Sequence, residues 1–235
     1  MPTRLGRRFL IFALALTALL VVPSVATPAG QISIFGAESG THLTMTVESG
    51  RLVVRGPMAA EHPHGCHLSA SQEIAICPLA DVSSIEVTLG PSGDFLEVAN
   101  PMPVPITAYL GDGSDKMIGN AEPDTCYSQG SRRNRCIGGA GDDVCITGEK
   151  NSDCVGDAGN DYCETADGSD GCWGGDGNDI CKMGPGQDGC HGEGGNDRLY
   201  GGANPDQLYG GTGWDYCDGG PGRGKSHSCD AGPRH

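Results

Sequence analysis

The chain has 235 residues, a net charge of −15, 40 glycines and only 5% aromatic residues. A surface this acidic repels nucleic acid and anionic membrane, and argues against both as partners. With so few large apolar side chains, stacking, metal ions and crosslinks must supply what burial does not.

Arg4, Arg7 and Arg8 precede an almost wholly apolar run over residues 9–22, and Ser24, Val25 and Ala26 follow as small residues. This order reads as a secretory signal peptide over 1–26, too short to favour a membrane span. The mature chain is therefore expected outside the cell, with no membrane span after cleavage.

Residues 27–105 read as a β-rich region. Strands are expected at 31–35, 42–48, 51–55, 73–77 and 84–89, where residues alternate or are β-branched. Ser49-Gly50 suits a hairpin, and Pro101, Pro103 and Pro105 mark a boundary. Asp94 and Leu96 sit in the phase of a degenerate repeat. LGDGSDKMI from Leu110 is a better one, with Asp115 at position six, and GNAEPDTCY follows with Asp124 and Cys126. The phase then slips by one at Ser128. Residues 129–137 carry Asn134 where Asp belongs, together with Arg132, Arg133 and Arg135, and read as an insertion or decayed coil.

From Gly138 to Asp218 the chain repeats every nine residues without a gap: GGAGDDVCI, TGEKNSDCV, GDAGNDYCE, TADGSDGCW, GGDGNDICK, MGPGQDGCH, GEGGNDRLY, GGANPDQLY, GGTGWDYCD. Position six is Asp143, Asp161, Asp170, Asp179, Asp188, Asp197, Asp206 and Asp215. Position four is Gly141, Gly159, Gly168, Gly177, Gly186, Gly195 and Gly213. Position eight is always Cys or Leu. Glycine permits positive φ and lets carbonyls turn toward a common point, the Asp adds a carboxylate, and positions seven to nine form a short strand with residue eight inward. One such unit buries no core, whereas stacked units do. Stacking brings carboxylates together, where they repel unless a cation lies between them. Oxygen-only ligands suit Ca²⁺. The next unit, GGPGRGKSH, has Gly224 at position six and suits a ligand-poor cap over the C-terminal end.

These units resemble the GGxGxDxUx signature of hemolysin-type (RTX) calcium-binding repeats. The resemblance implies an all-β, right-handed parallel β-roll over residues 106–235, with two nonapeptides per coil and Ca²⁺ between same-side loops of successive coils. One edge would then hold Asp143, Asp161, Asp179, Asp197 and Asp215, giving four sites. The other would hold Asp170, Asp188 and Asp206, giving two. No site is expected at Ser152, where Asp is missing and Asp153 is out of phase. Asp157 and Glu193 replace glycine at position two and are expected to distort their loops. Asn204 at position four is tolerable, because Asn visits left-handed conformations.

Twelve cysteines behind a signal peptide read as a disulfide framework. Cys136, Cys145, Cys154, Cys163, Cys172, Cys181 and Cys190 lie nine apart at the inward position, and Cys217 keeps their phase. In a roll, cysteines eighteen apart are neighbours in one sheet and those nine apart face each other across the core. Both connectivities, and a buried array of free thiols, stay open. Cys66 is expected to pair with Cys77, Cys126 with Cys136, and Cys229 with Cys217.

His62, His64 and His67 surround Cys66 without a defensible metal motif, and read as a polar surface loop. No HExxH, GxSxG or P-loop signature occurs. Tyr200, Tyr209 and Trp173 at position nine are expected to face outward. The sequence therefore points to a secreted, non-enzymatic calcium-binding protein. The alternatives are a hydrolase with its site in 27–105, or a surface adhesin that uses the repeats as a stalk. The protein or carbohydrate partner is undefined.

Overall fold

The computed structural model describes residues 30–37, 40–59, 66–130, 132–222 and 224–232. The expected signal peptide, and His62 and His64, lie outside the described residues. Among the described residues every regular element is a strand, and no helix is long and apolar enough to cross a membrane.

The strands form two sheets, and each coil gives one strand to each. The first sheet has nine: Gln31–Phe35, Ser84–Thr88, Ile106–Tyr109, Thr125–Ser128, Val144–Thr147, Tyr162–Glu164, Ile180–Lys182, Arg198–Tyr200 and Tyr216–Asp218. All its pairings are parallel and in register, so Cys145 lies beside Cys163 and Cys163 beside Cys181. The second sheet has twelve. Eight follow the coils: His42–Glu48, Phe95–Val98, Lys116–Ile118, Arg135–Ala140, Asp153–Ala158, Gly171–Asp176, Gly189–Gly194 and Gln207–Thr212, with Lys225–His227 added at the C-terminal end. At the other end Arg51–Arg55, Ile74–Pro78 and His67–Leu68 extend it as antiparallel strands.

Alternation explains the core. In a strand successive side chains point to opposite faces, and position eight falls on the inward face of both sheets. Cys145, Cys154, Cys163, Cys172, Cys181, Cys190, Leu199, Leu208 and Cys217 are all buried, continuous with Ile34, Leu43, Ile85, Leu96 and Met117 of the early coils. The inward side chain is cysteine in most nonapeptide coils, with Leu199 and Leu208 the exceptions, and mostly a larger aliphatic residue in the early coils.

The division expected at residue 105 is no break in either sheet. Ser84–Thr88 pairs with Ile106–Tyr109, and Phe95–Val98 with Lys116–Ile118. The proline run is a loop inside the solenoid, and buries Met102 and Val104 between its prolines. Of the two readings of residues 129–137, the structure has the decayed coil and not the insertion. Their strand, Arg135–Ala140, pairs on both sides, and Cys136 lies in register with Met117 and Cys154. The extra residue between Cys126 and Cys136 is taken up in the loop.

Candidate metal centre

The nonapeptide loops stack along two edges of the roll, and the aspartates form two rows. On the first edge, the backbone N–H of Asp124 donates to Oδ1 of Asp143 at 2.7 Å, Asp143 to Asp161 at 2.8 Å and Asp161 to Asp179 at 2.8 Å. Asp179 then donates to Asp197 at 2.8 Å, and Asp197 to Asp215 at 3.0 Å. On the second edge Ser152 donates to Asp170, Asp170 to Asp188 and Asp188 to Asp206, at 2.7, 2.8 and 3.0 Å. The eighteen-residue spacing thus places the carboxylates as the resemblance implied.

Each of these carboxylates spends one oxygen on the preceding coil. The other, Oδ2 of Asp143, Asp161, Asp170, Asp179, Asp188, Asp197, Asp206 and Asp215, is buried without a hydrogen-bond partner. A buried, unpaired carboxylate oxygen is costly. Repeated in eight loops, it marks a place built for something positive.

Glycine makes that place possible. A β-carbon at position one would sit 2.1 Å from Oδ2 of Asp161 at Gly156, and 2.2 Å from Oδ2 of Asp179 at Gly174. At position four, a β-carbon on Gly159, Gly177, Gly195 or Gly213 would lie 1.6–1.9 Å from the carbonyl oxygen of Gly141, Gly159, Gly177 or Gly195, one coil earlier. These carbonyls line the first edge beside the aspartates, and such oxygens are what a hard divalent cation takes. The residues fit Ca²⁺: neutral backbone oxygens, anionic carboxylates, and no thiolate or imidazole among them.

The electrostatics agree. In the cation-free protein, burial lifts Asp143 to about 8, with the Asp161, Asp124 and Asp142 charges adding to it. Burial likewise lifts Asp179 and Asp188 to about 7, and Asp161 and Asp206 to about 6. Asp170 and Asp197 are raised for the same reason. Hydrogen bonds from the neighbouring backbone oppose these shifts without cancelling them. A cation would restore the ionised form.

The two edges are not equivalent. Position four adopts positive φ at Gly141, Gly159, Gly177, Gly195 and Gly213. Gly168 and Gly186 lie outside that region, in loops where Thr165 and Met183 replace the first glycine. There a β-carbon at position four would meet Oδ1 of Asp170 or Asp188, at 2.6 and 2.7 Å, and at Gly186 also the carbonyl oxygen of Gly168 one coil earlier, at 1.7 Å. The first edge is therefore the more regular row.

Two expected distortions do not occur. Asp157 and Glu193 take φ of 78° and 75°, the left-handed region that glycine occupies at the same position in Gly175 and Gly211. Asn204 does the same at 83°. At Ser152 the row is interrupted as expected: its Oγ donates to Lys150 O, and Asp153 turns outward to Arg133 at 2.8 Å.

The two rows extend beyond the aspartates of the nine nonapeptides. Asp94 and Asp115 on the second edge also leave Oδ2 buried and unpaired, and Asp94 N–H donates to Asp115 Oδ1 at 2.8 Å. Asn134 accepts from Asp115 N–H at 2.8 Å, doing the hydrogen-bonding work of Asp without its charge. Asp230 accepts from Asp215 N–H at 3.1 Å and ends the first row. The phase of Asp94 and Asp115 was the available signal for those two; Asp230 lies outside the repeat and gave none. Asp124 is different, since Asn120 donates to both of its oxygens.

Outside the edges, His67 lies on the short strand His67–Leu68, and Cys66 is bonded to Cys77. Trp173, His191, Tyr209 and His227 form one column on the second sheet, with ring centroids 5.9, 4.6 and 4.9 Å apart and near-parallel planes. Tyr200 packs against Tyr216 on the first sheet.

Residues 191–224 match the family model of the RTX calcium-binding nonapeptide repeat, in four copies. No curated protein matches the chain. The coils before residue 191 continue the same strand register and the same aspartate rows. The chain thus carries RTX calcium-binding nonapeptide repeats, built into a parallel β-solenoid.

Proposed function

We propose that the protein is a secreted, non-enzymatic calcium-binding β-roll in which Ca²⁺ between successive coils couples folding to arrival in a calcium-containing medium. The observation that carries this reading is the row of buried, unpaired Oδ2 atoms on aspartates eighteen residues apart. Without cations each coil added to the roll brings another carboxylate beside the last. With them the same carboxylates become the adhesive between coils. All the buried acids among the described residues belong to the two edge rows, which supports a structural rather than a catalytic use of them.

The export part rests on the signal-like residues 1–26 and on the disulfides, which persist in oxidising compartments. Extracellular calcium modules bind at about 10⁻⁴–10⁻³ M. Refolding of the denatured, disulfide-intact protein, followed by far-UV circular dichroism, should therefore be slow or incomplete at micromolar calcium and complete at millimolar calcium. Equal refolding in both would rule out the coupling.

A further inference from the structure

The inward position is Cys on both sheets of a coil or on neither. Cys126 faces Cys136, Cys145 faces Cys154, Cys163 faces Cys172 and Cys181 faces Cys190. Leu199 faces Leu208, and Ala108 faces Met117. In the one exception Cys217 faces Ser226, and it bonds instead to Cys229. Two of the four all-cysteine coils, the first and the last, are crosslinked across the core, with Cα–Cα distances of 6.2 Å for Cys126–Cys136 and 6.7 Å for Cys181–Cys190. The two coils between them hold Cys145, Cys154, Cys163 and Cys172, all buried and unbonded. Within each sheet they are register neighbours, Cys145 beside Cys163 and Cys154 beside Cys172.

We propose that Cys145–Cys154 and Cys163–Cys172 are two further disulfides, completing an unbroken ladder of four cross-core rungs from Cys126 to Cys190. Geometry selects rungs over side-by-side bonds. In-register cysteines of neighbouring parallel strands, such as Cys145 and Cys163, point the same way, so their Cβ atoms repeat at the strand spacing of about 4.8 Å. That exceeds the Cβ–Cβ separation of about 3.5–4.5 Å that a disulfide needs. Cysteines facing across the core point toward each other, as the two existing rungs show. The paired occurrence of cysteine within a coil has a reason under rungs and none under side-by-side bonds.

Each rung forms by loss of two protons and two electrons from two thiols. The acceptor is the disulfide of a thiol–disulfide oxidoreductase, which leaves as a dithiol, with one S–S bond made and one broken. Because all four sulfurs are buried in the closed roll, that exchange takes place before the sheets close over them. The rungs do not depend on the calcium reading, since they would hold the sheets together with or without ions.

The test is a linkage map of the calcium-loaded chain, denatured and alkylated without reductant. Cleavage at Lys150, Asp157 and Asp167 separates the four cysteines. The expected result is Cys145 linked to Cys154, Cys163 linked to Cys172, and no alkylated thiol. In a Cys163→Ala variant one alkylated thiol should appear, at Cys172; side-by-side bonding would place it at Cys145. If that variant does not fold, the map of the unsubstituted chain decides. Four alkylated thiols, links Cys145–Cys163 and Cys154–Cys172, or stoichiometric zinc or copper on four free thiols would each overturn the proposal.

Discussion

The carboxylate of Asp179 accepts the backbone N–H of Asp161, one coil earlier, at 2.8 Å, and keeps its second oxygen buried with no partner. The first contact fixes the register of the stack. The second oxygen is the reason the stack needs a cation. The same residue therefore sets the geometry of the roll and stores the charge that opposes it.

That stored charge predicts an unusual pH dependence. In the cation-free protein Asp143 stands at about 8, Asp179 and Asp188 at about 7, and Asp161 and Asp206 at about 6, each raised from 3.8. Folded values above the unfolded ones mean that the folded state holds protons the unfolded chain has released. This contribution is fully present below about pH 4 and is lost as pH rises through about 6–8. The melting temperature in chelator should fall from pH 5 to pH 8.5, and millimolar calcium should abolish the fall. A flat profile in chelator would contradict the burial of unpaired carboxylates.

Asp179→Asn separates the two tasks. The amide oxygen can still accept from Asp161 N–H, while the charge is gone. Calcium stoichiometry should drop by one or two ions, because Asp179 lies between Asp161 and Asp197 in the row. Each lost site removes about 2.7 kcal/mol of calcium-dependent stability when calcium stands ~100-fold above Kd. In chelator the variant should melt at or above the temperature of the parent, since repulsion is relieved. Asp153→Asn, on the outer face beside Arg133, should change neither ion count nor calcium dependence.

Glycines in the loops and in the strands should behave oppositely. At Gly177, φ is 146° and a β-carbon would lie 1.7 Å from Gly159 O, so Gly177→Ala should cost more than about 1 kcal/mol. At Gly189 nothing lies within 4 Å of an added β-carbon, and Gly189→Ala should be neutral or stabilise by about 0.5–1 kcal/mol. Chemical denaturation of the calcium-loaded variants reads both. Similar losses at both sites would argue against the close stacking of the loops.

Ser152→Asp should repair the second edge. Ser152 N–H already donates to Asp170 Oδ1 at 2.7 Å, so the backbone register is in place and only the carboxylate is missing. The variant should bind one more calcium than the parent and gain melting temperature only when calcium is present. An unchanged ion count would place the second edge outside the calcium-binding machinery.

The aspartate rows, the eighteen-residue neighbours and the buried position eight were legible because one period controls all three. The first coil was not, although the stack begins with Gln31–Phe35 pairing to Ser84–Thr88, and the second showed only in the phase of Asp94 and Leu96. They fill the core with Ile34, Leu43, Met45 and Ile85 in place of a repeating inward cysteine. The antiparallel strands Arg51–Arg55 and Ile74–Pro78 also separate the two halves of that pairing by some fifty residues, which hides any period. Asn134 was read as decay because its type lacks charge; its oxygen nevertheless keeps the register by accepting from Asp115 N–H. Position nine was legible as the outward face of the strand. There Trp173, His191 and Tyr209 stack their ring faces on one another, a cross-strand contact that the nine-residue period alone does not specify.

The central claim is that the buried Oδ2 rows hold calcium, and isothermal titration of Ca²⁺ into the chelator-stripped, oxidised protein tests it most directly, with bound ions counted and far-UV circular dichroism read in parallel. The account predicts uptake of several ions, about six if each adjacent aspartate pair in the two main rows forms a site, with a gain of β signal and of melting temperature. No uptake, with an unchanged spectrum and the same melting temperature in chelator and in calcium, would contradict it.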